Sequence, residues 1–191
     1  MEKKENILKA ISGRYSPKKF SEQEIETEKL NSIFEAARVA PSGFNNQPWR
    51  YVFIDKKSKN RDKLEKSLMP GNGWAKTAPG LIVCFTNKKF QKSANNIPYH
   101  IYDSALSVMS LVIEAENQGL KTHQMGGFFG TKVKEAVNIP EEYDVLVVIA
   151  IGYEDGNLNI VEKIRDKIIN KIIKSRDRKK IEEIVYYDSY K

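Results

Sequence analysis

Two short apolar runs constrain the fold of this chain more than any other feature. LIVCF at Leu81–Phe85 follows the turn-forming pair Pro79–Gly80, and VLVVIAI at Val145–Ile151 ends at Gly152. A short, continuously apolar run between turn residues is expected of a strand that is buried on both faces, and β-branched residues favour strands. The two runs therefore predict the central strands of a sheet.

The other periodic segments are mostly helical. Ile101–Gln118 is the longest, and its apolar residues cover so much of its circumference that we expect burial on more than one side, with Gly119 as C-cap. A helix through Leu30–Ala37 is predicted to begin at a capping box of Ser21 and Glu24. The remaining predictions are helices at Asn6–Ser12, Asn60–Leu68 (on the surface), Thr131–Val137 and Ile160–Ile173, a strand at Arg50–Ile54 and a turn at Pro70–Gly73. This mixture, with more helix than strand, predicts a single α+β domain over residues 1–191.

The chain carries an excess of positive charge. Lysine and arginine total 32 against 25 acidic residues, so the formal net charge is +7. This charge favours phosphate-bearing ligands, and both nucleic acid and a phosphorylated cofactor are candidates. No apolar run approaches the roughly 18 residues that span a bilayer, and Met1–Asn6 leads into a helical pattern without a signal-peptide core. We therefore expect a cytoplasmic protein, in which Cys84 is a core residue rather than a reactive thiol.

The stretch APSGFNNQPW, Ala40–Trp49, predicts a tightly specified loop. Pro41 cannot continue the preceding helix, and Pro48 favours an extended backbone leading into the strand at Arg50. The loop is dense in amide and hydroxyl groups, which could hydrogen-bond a planar polar ligand. An ordinary connector anchored by Trp49 explains the same residues about as well.

Two further segments carry candidate binding groups. In GRYSPKKF, Gly13–Phe20, Arg14, Ser16 and Lys18 alternate, so an extended backbone places a guanidinium, a hydroxyl and an ammonium on one face. That set suits a phosphate, although a solvated basic turn is an alternative. Gly126–Gly127 would let a backbone approach a flat ligand closely, but their spacing does not match the GxGxxG dinucleotide motif.

Several catalytic classes lack their sequence signatures. His100 and His123 are the only histidines, and there is no HExxH or cysteine cluster, so a metal site is not predicted. Each histidine is interpreted as packed or hydrogen-bonded, although His123 could line a pocket. The chain also has no GxSxG elbow and no Walker A motif. If it is an enzyme, a cofactor is expected to carry the chemistry.

Taken together, the chain resembles the FMN-dependent nitroreductase family. The resemblance rests on the R-x-S-x-K pattern at Arg14–Lys18, the helix followed by APSxxNxQPW at Ala40–Trp49, the GL…GGF segment at Gly119–Phe128, and the basic cluster before IEEIV at Arg176–Val185. These matches occur in the family's order and span almost the whole chain.

The resemblance implies a nitroreductase-like fold. That fold is a mostly antiparallel central sheet flanked by helices, with a C-terminal arm exchanged across a homodimer and two FMN molecules at the interface. In this scheme Arg14, Ser16, Arg176 and Arg178 hold the FMN phosphate, and Lys18 lies near the pyrimidine edge of the flavin. The backbone N–H near Gly126 points at flavin N5, and Met125 lies either on the flavin face or in the core. The partner subunit supplies Pro41, Ser42, Asn45 and Gln47, and Tyr15 and Gly127 complete the expected set.

The implied reaction is ping-pong. NADH or NADPH passes hydride to FMN and leaves, and a flat acceptor such as a nitroaromatic or quinone then takes the electrons, with no protein nucleophile. The alternatives are a flavin-binding protein with little turnover, a dehalogenase or flavin-modifying enzyme of the same fold, and a basic nucleic-acid-binding module.

Three departures from the family bear on specificity. Many larger members place a helical excursion after the second central strand, where this chain has only Thr86–Pro98. Members often carry an acidic or polar side chain where Gly126 aligns. The lysine or asparagine that some members use against the flavin has only Asn72 as a candidate here.

Overall fold

The computed structural model describes residues 7–90, 96–155, 164 and 177–190. The chain divides into two compact units, Met1–Glu154 and Asp155–Lys191. The first unit contains the sheet and its helices. The expectation of one domain over the whole chain stays a prediction.

A four-stranded antiparallel sheet forms the centre of the first unit. Its strands are β1 (Arg50–Asp55), β2 (Gly80–Asn87), β3 (Lys121–Met125) and β4 (Tyr143–Gly152), in the order β1-β2-β4-β3. Every residue of β2 is buried, as the apolar run predicted, and β4 pairs with it as the second central strand. Strand β3 was not predicted, because KTHQM is largely polar and occupies an edge with only part of its surface buried.

Five helices accompany the sheet within the described residues. They are α1 (Lys9–Ser12), α2 (Thr27–Arg38), α3 (Arg61–Lys66), α4 (Tyr99–Asn117) and α5 (Gly130–Val137), with short 3₁₀ helices at Gly43–Asn45, Pro70–Thr77, Lys88–Phe90 and Ile181–Glu183. Gly119 follows the end of α4 in the left-handed region, with a φ of 78°, which confirms its predicted capping role.

The core consists of two apolar layers, one on each face of the sheet. Leu81 and Val83 point into a layer with α3, α5 and the Pro70–Thr77 helix, whereas Ile82 and Cys84 point into a layer with α2 and α4. This alternation follows from the two-residue period of a strand. Burial raises the pKa of the Cys84 thiol to about 12, so the thiol stays protonated, which confirms that Cys84 is a core residue.

Three local predictions were wrong. No capping box forms at Ser21 and Glu24, since α2 begins later, at Thr27, and has no side-chain cap. The helix near residue 61 is not confined to the surface: Arg61 is 5% exposed and donates to the Ala78 carbonyl at 2.7 Å, because its guanidinium is satisfied by Glu65 and backbone carbonyls. The predicted turn at Pro70 continues as a 3₁₀ helix to Thr77.

The described part of the second unit is short. Residues 177–190 contain the 3₁₀ turn Ile181–Glu183 and no strand. Ile181, Ile184, Tyr187 and Tyr190 are all exposed. Of the predicted helix Ile160–Ile173, only Ile164 is described, and it is helical. Among the described residues, no helix is both long and apolar enough to cross a membrane.

Candidate functional site

The Arg14–Lys18 segment lies against edge strand β3. His123 Nδ1 is 2.8 Å from the Pro17 carbonyl oxygen, and Lys121 Nζ lies 4.8 Å from the centre of the Tyr15 ring. Pro17 is buried, Ser16 is exposed, and Arg14 is half-buried. The segment therefore has one side on the sheet edge and another toward solvent.

The segment presents a set of hydrogen-bond donors without a carboxylate partner. Arg14 Nη1 donates to Ser16 Oγ at 3.4 Å. Within the described residues, neither Arg14 nor Lys18 has an ion-pair partner. Two cations and a hydroxyl in one short segment form a site suited to an anion such as a phosphate.

The glycine pair directly follows β3, and its two members have different surroundings. The Gly127 carbonyl accepts hydrogen bonds from Met69 N at 3.0 Å and from Asn72 Nδ2 at 2.8 Å. A Cβ at Gly127 would lie 2.9 Å from Asn72 Nδ2, whereas a Cβ at Gly126 would have no atom within 4 Å. Gly127 thus permits a close contact, and Gly126 exposes its backbone to open space.

Met125 and Asn72 occupy defined places beside this turn. The Met125 side chain is 2% exposed and belongs to the core layer, so its position favours the core role over contact with a flavin. Asn72 donates a hydrogen bond to the Gly127 carbonyl, which places it next to the predicted site. Its contact with a cofactor stays a prediction.

His123 is a functional candidate whose surroundings the sequence did not specify. The imidazole is half-buried and lies 4.3 Å, centre to centre, from the Trp74 ring. Burial lowers the pKa of His123 below its ordinary value. The charges of Lys18 and Arg14 lower the pKa further, and the backbone of Pro17 and Ser16 opposes the shift. The nearby glycine pair was the only sequence signal for this residue.

His100 has a different environment from His123. It is 2% exposed, and neither ring nitrogen has a hydrogen-bond partner. Burial lowers its pKa. The prediction of a packed side chain is confirmed, and no group of three or more potential metal ligands occurs among the described residues.

The Ala40–Trp49 loop is tightly structured, as the sequence predicted. Ser42 Oγ accepts from Gln47 N at 3.0 Å, and Gln47 Nε2 donates to Asn45 Oδ1 at 3.0 Å. The φ angles of Phe44, Asn45 and Gln47 are 54°, 55° and 44°, in the left-handed region that most side chains avoid. Pro41 is exposed at the start of the loop.

The loop is anchored to α4 and β2 rather than to β3. Gly43 N donates to Asp103 Oδ2 of α4 at 3.1 Å, and Thr86 of β2 donates to the Pro48 carbonyl at 3.1 Å. The loop leads into β1, which is separated from β3 by β2 and β4. Three strand spacings amount to about 14 Å. Within one copy of the chain, the loop and the Arg14–Lys18 segment therefore lie at opposite edges of the sheet.

The remaining predicted phosphate ligands belong to the second unit. Arg178 is exposed, and its Nη1 donates to the Asp177 carbonyl at 2.9 Å. Arg176 lies outside the described residues. The expected contribution of both arginines to one phosphate site stays a prediction.

A cavity of about 510 Å³ lies apart from these residues. It is lined by Ile25, Phe53 and Pro79 and by charged side chains that include the ion pair of Lys57 and Glu24 at 2.5 Å. None of the predicted site residues lines it.

Comparison with known proteins decides the family. The model of the nitroreductase family matches residues 11–72 and 70–153. The chain belongs to the nitroreductase family. The matched ranges contain the Arg14–Lys18 segment, the Ala40–Trp49 loop and the Gly126–Gly127 pair, and the family assignment confirms the resemblance.

Relatives and solved structures agree with this assignment. A Methanothermobacter thermautotrophicus protein, provisionally named an NADH dehydrogenase/NAD(P)H nitroreductase, is 26% identical over 81% of this chain and 80% of its own length. An iodotyrosine deiodinase of Thermotoga neapolitana is 26% identical over 74% of this chain and 85% of its own length. A crystal structure described as an oxidoreductase containing FMN superposes with a TM-score of 0.82 at 26% identity, covering 100% of this chain and 96% of that one. The chain therefore has a nitroreductase-like fold of helices and an antiparallel sheet.

Proposed function

We propose that this nitroreductase-family protein is an NAD(P)H-dependent FMN oxidoreductase acting on a flat electron acceptor such as a nitroaromatic or quinone. The observation that carries the proposal is the donor set of Arg14, Ser16 and Lys18, which has no carboxylate partner among the described residues. This set lies against β3, which leads directly into the open backbone of Gly126. The donor set can accommodate an anionic phosphate, and the open backbone at Gly126 can accommodate a flat ring. The FMN-containing structural neighbour supports the same cofactor.

The phosphate is assigned to the arginine-bearing segments. The Arg14 guanidinium can donate two parallel hydrogen bonds to a phosphate, and Ser16 Oγ, already 3.4 Å from it, adds a third donor. Arg178 and Arg176 would add charge from the second unit. Because Arg14 and Lys18 have no ion-pair partner among the described residues, a phosphate bound by them would replace water rather than a carboxylate.

When bound, FMN supplies the hydride-accepting chemistry, and the protein supplies orientation and electrostatics. Lys18 contributes a positive charge beside the ring, which favours negative charge there. The exposed turn at Gly126 offers a backbone N–H without a side chain to block it. We infer ping-pong kinetics, in which the nicotinamide donor and the acceptor would use the same cleft in turn and no side chain would act as a nucleophile.

A homodimer would complete this site. The loop at Ser42–Gln47 leads into β1, whereas the Arg14–Lys18 segment lies against β3 at the opposite edge of the sheet, so we infer that the loop reaching the ligand comes from a second copy. Near this loop, Phe44 is 89% exposed, and Ile101 and Tyr102 of α4 are 43% and 56% exposed. Exposed apolar side chains of this kind favour association with another chain. A second copy would bury them and bring its loop, with Pro41 and Asn45, to the first copy's site, with the C-terminal arm exchanged between the two.

The test is a visible absorption spectrum of the purified protein, without oxygen, before and after addition of NADPH. Flavin bands that bleach, followed by steady-state reduction of a nitroaromatic with parallel double-reciprocal lines, are expected. A protein that is colourless and fails to take up added FMN would refute the proposal. Bound flavin without NADH or NADPH oxidation would favour a flavin-binding protein with little turnover. Light scattering on the same sample measures the dimer.

Reductive dehalogenation is a second candidate. The relatives named iodotyrosine deiodinase, from Thermotoga neapolitana and Nematostella vectensis, support it. Iodide release from an iodinated tyrosine, measured beside nitroaromatic reduction on the same enzyme, separates the two activities.

A further inference from the structure

We propose that His123 is a positioning residue that fixes the Arg14–Lys18 segment on β3 by a hydrogen bond from its imidazole to the Pro17 carbonyl, with Trp74 holding the ring in place. The inference rests on the proposed function, because the segment it orders is the one assigned to the FMN phosphate. No other described side chain joins β3 to the Pro17 carbonyl.

Pro17 limits how the segment can pair with β3. A segment running beside an edge strand would ordinarily extend the sheet through backbone hydrogen bonds, but proline has no N–H to donate. The β3 backbone pairs on its other side with β4, where His123 is opposite Ala150. The Pro17 carbonyl can still accept, and the His123 side chain of β3 makes that link at 2.8 Å.

The hydrogen bond between His123 and the Pro17 carbonyl determines which nitrogen of the imidazole carries the proton. A carbonyl oxygen only accepts, so Nδ1 must carry the proton and donate it. The ring is half-buried, and Arg14 and Lys18 both place positive charge near it, so the neutral Nδ1–H tautomer is favoured. His123 can thus hold the segment without a third positive charge that would repel Arg14 and Lys18.

Trp74 links this contact to the other end of the segment. Its ring lies 4.3 Å from the imidazole and 6.3 Å, in a stacked arrangement, from the Phe20 ring. In the same 3₁₀ helix, Thr77 Oγ1 accepts from Phe20 N at 3.3 Å and donates to the Trp74 carbonyl at 3.0 Å. The segment between Arg14 and Phe20 is therefore held at Pro17 by His123 and at Phe20 by Thr77, with Trp74 packed against both ends.

The test compares His123→Asn with His123→Leu. Asparagine keeps a donor close to the position of Nδ1, whereas leucine keeps similar volume without one. Two measurements are made on each folded variant: the Kd for FMN, and amide hydrogen exchange of residues 13–19 in the flavin-free protein. The loss of one hydrogen bond of ordinary strength corresponds to about a 2- to 13-fold change.

For His123→Leu we expect a Kd for FMN about 10-fold weaker and exchange in residues 13–19 about 10-fold faster. For His123→Asn we expect both values within about 3-fold of the parent. If leucine prevents folding, His123→Gln replaces it, since its amide nitrogen lies at the Nε2 position and should fail to reach Pro17. Equal exchange in the parent and the donor-free variant, or equal losses for asparagine and leucine, would overturn the proposal. A parent protein that does not bind FMN would refute the proposed function alone, because the exchange measurement does not use the cofactor.

Discussion

Replacing Gly127 by alanine should destabilise the protein, whereas the same change at Gly126 should not. A Cβ at Gly127 would lie 2.9 Å from Asn72 Nδ2 and 3.7 Å from the Met69 side chain, but a Cβ at Gly126 would contact nothing within 4 Å. The Asn72 amide must therefore move in Gly127→Ala and lose its 2.8 Å bond to the Gly127 carbonyl.

The magnitude follows from that one bond. A hydrogen bond of this kind contributes about 0.5–1.5 kcal/mol to the free energy of unfolding. Each alanine also reduces the entropy of the unfolded chain, a gain of about 0.4–1 kcal/mol that is common to the two variants and cancels in their comparison. Gly127→Ala should thus be about 1 kcal/mol less stable than Gly126→Ala.

Urea unfolding of both flavin-free variants at one protein concentration measures this difference as a shift in midpoint at constant slope. In an Asn72→Ala background the penalty at Gly127 should disappear, since the displaced amide is gone. Equal midpoints for the two glycine variants, or a penalty that persists without Asn72, would refute the reasoning.

Three further predictions concern the cation set and the buried polar groups. Arg14→Ala and Arg178→Ala should each weaken FMN binding about 10- to 100-fold with unchanged urea midpoints; an unchanged Kd in both would remove them from the phosphate site. Because the pKa of His100 is lowered in the folded protein, the unfolded state binds more protons below the ordinary value of 6.5. Stability should therefore fall as the pH drops below that value, and His100→Leu should reduce this fall in urea titrations at pH 8 and 5.5. Ser107→Ala should cost about 1–3 kcal/mol, since the Ala37 carbonyl loses its 2.8 Å donor and Tyr51 Oη loses its 2.7 Å partner; adding Tyr51→Phe should recover only the second part, and strictly additive losses would contradict the pairing.

Much of the fold was predictable because local signals and tertiary burial agree. The run Leu81–Phe85 is apolar on both strand faces, and the structure buries both faces. The helix predicted at Ile101–Gln118 is α4, which begins two residues earlier and ends one residue earlier, at Tyr99–Asn117. Strand β3 was not predicted, because its pairing with β4 makes it a strand and its own sequence does not favour one.

The sequence by itself determined the groups available to the site: the cations and hydroxyl of Arg14–Lys18, the glycine pair and the constrained loop before Trp49. Each depends on short-range chemistry, which neighbouring residues specify. Only the tertiary structure decided that His123, packed beside Trp74, reaches the Pro17 carbonyl, that Gly127 is packed while Gly126 is open, and that the loop lies at the opposite sheet edge. Those arrangements join residues that are distant along the chain, and strand order and packing, which no local pattern encodes, bring them together or keep them apart.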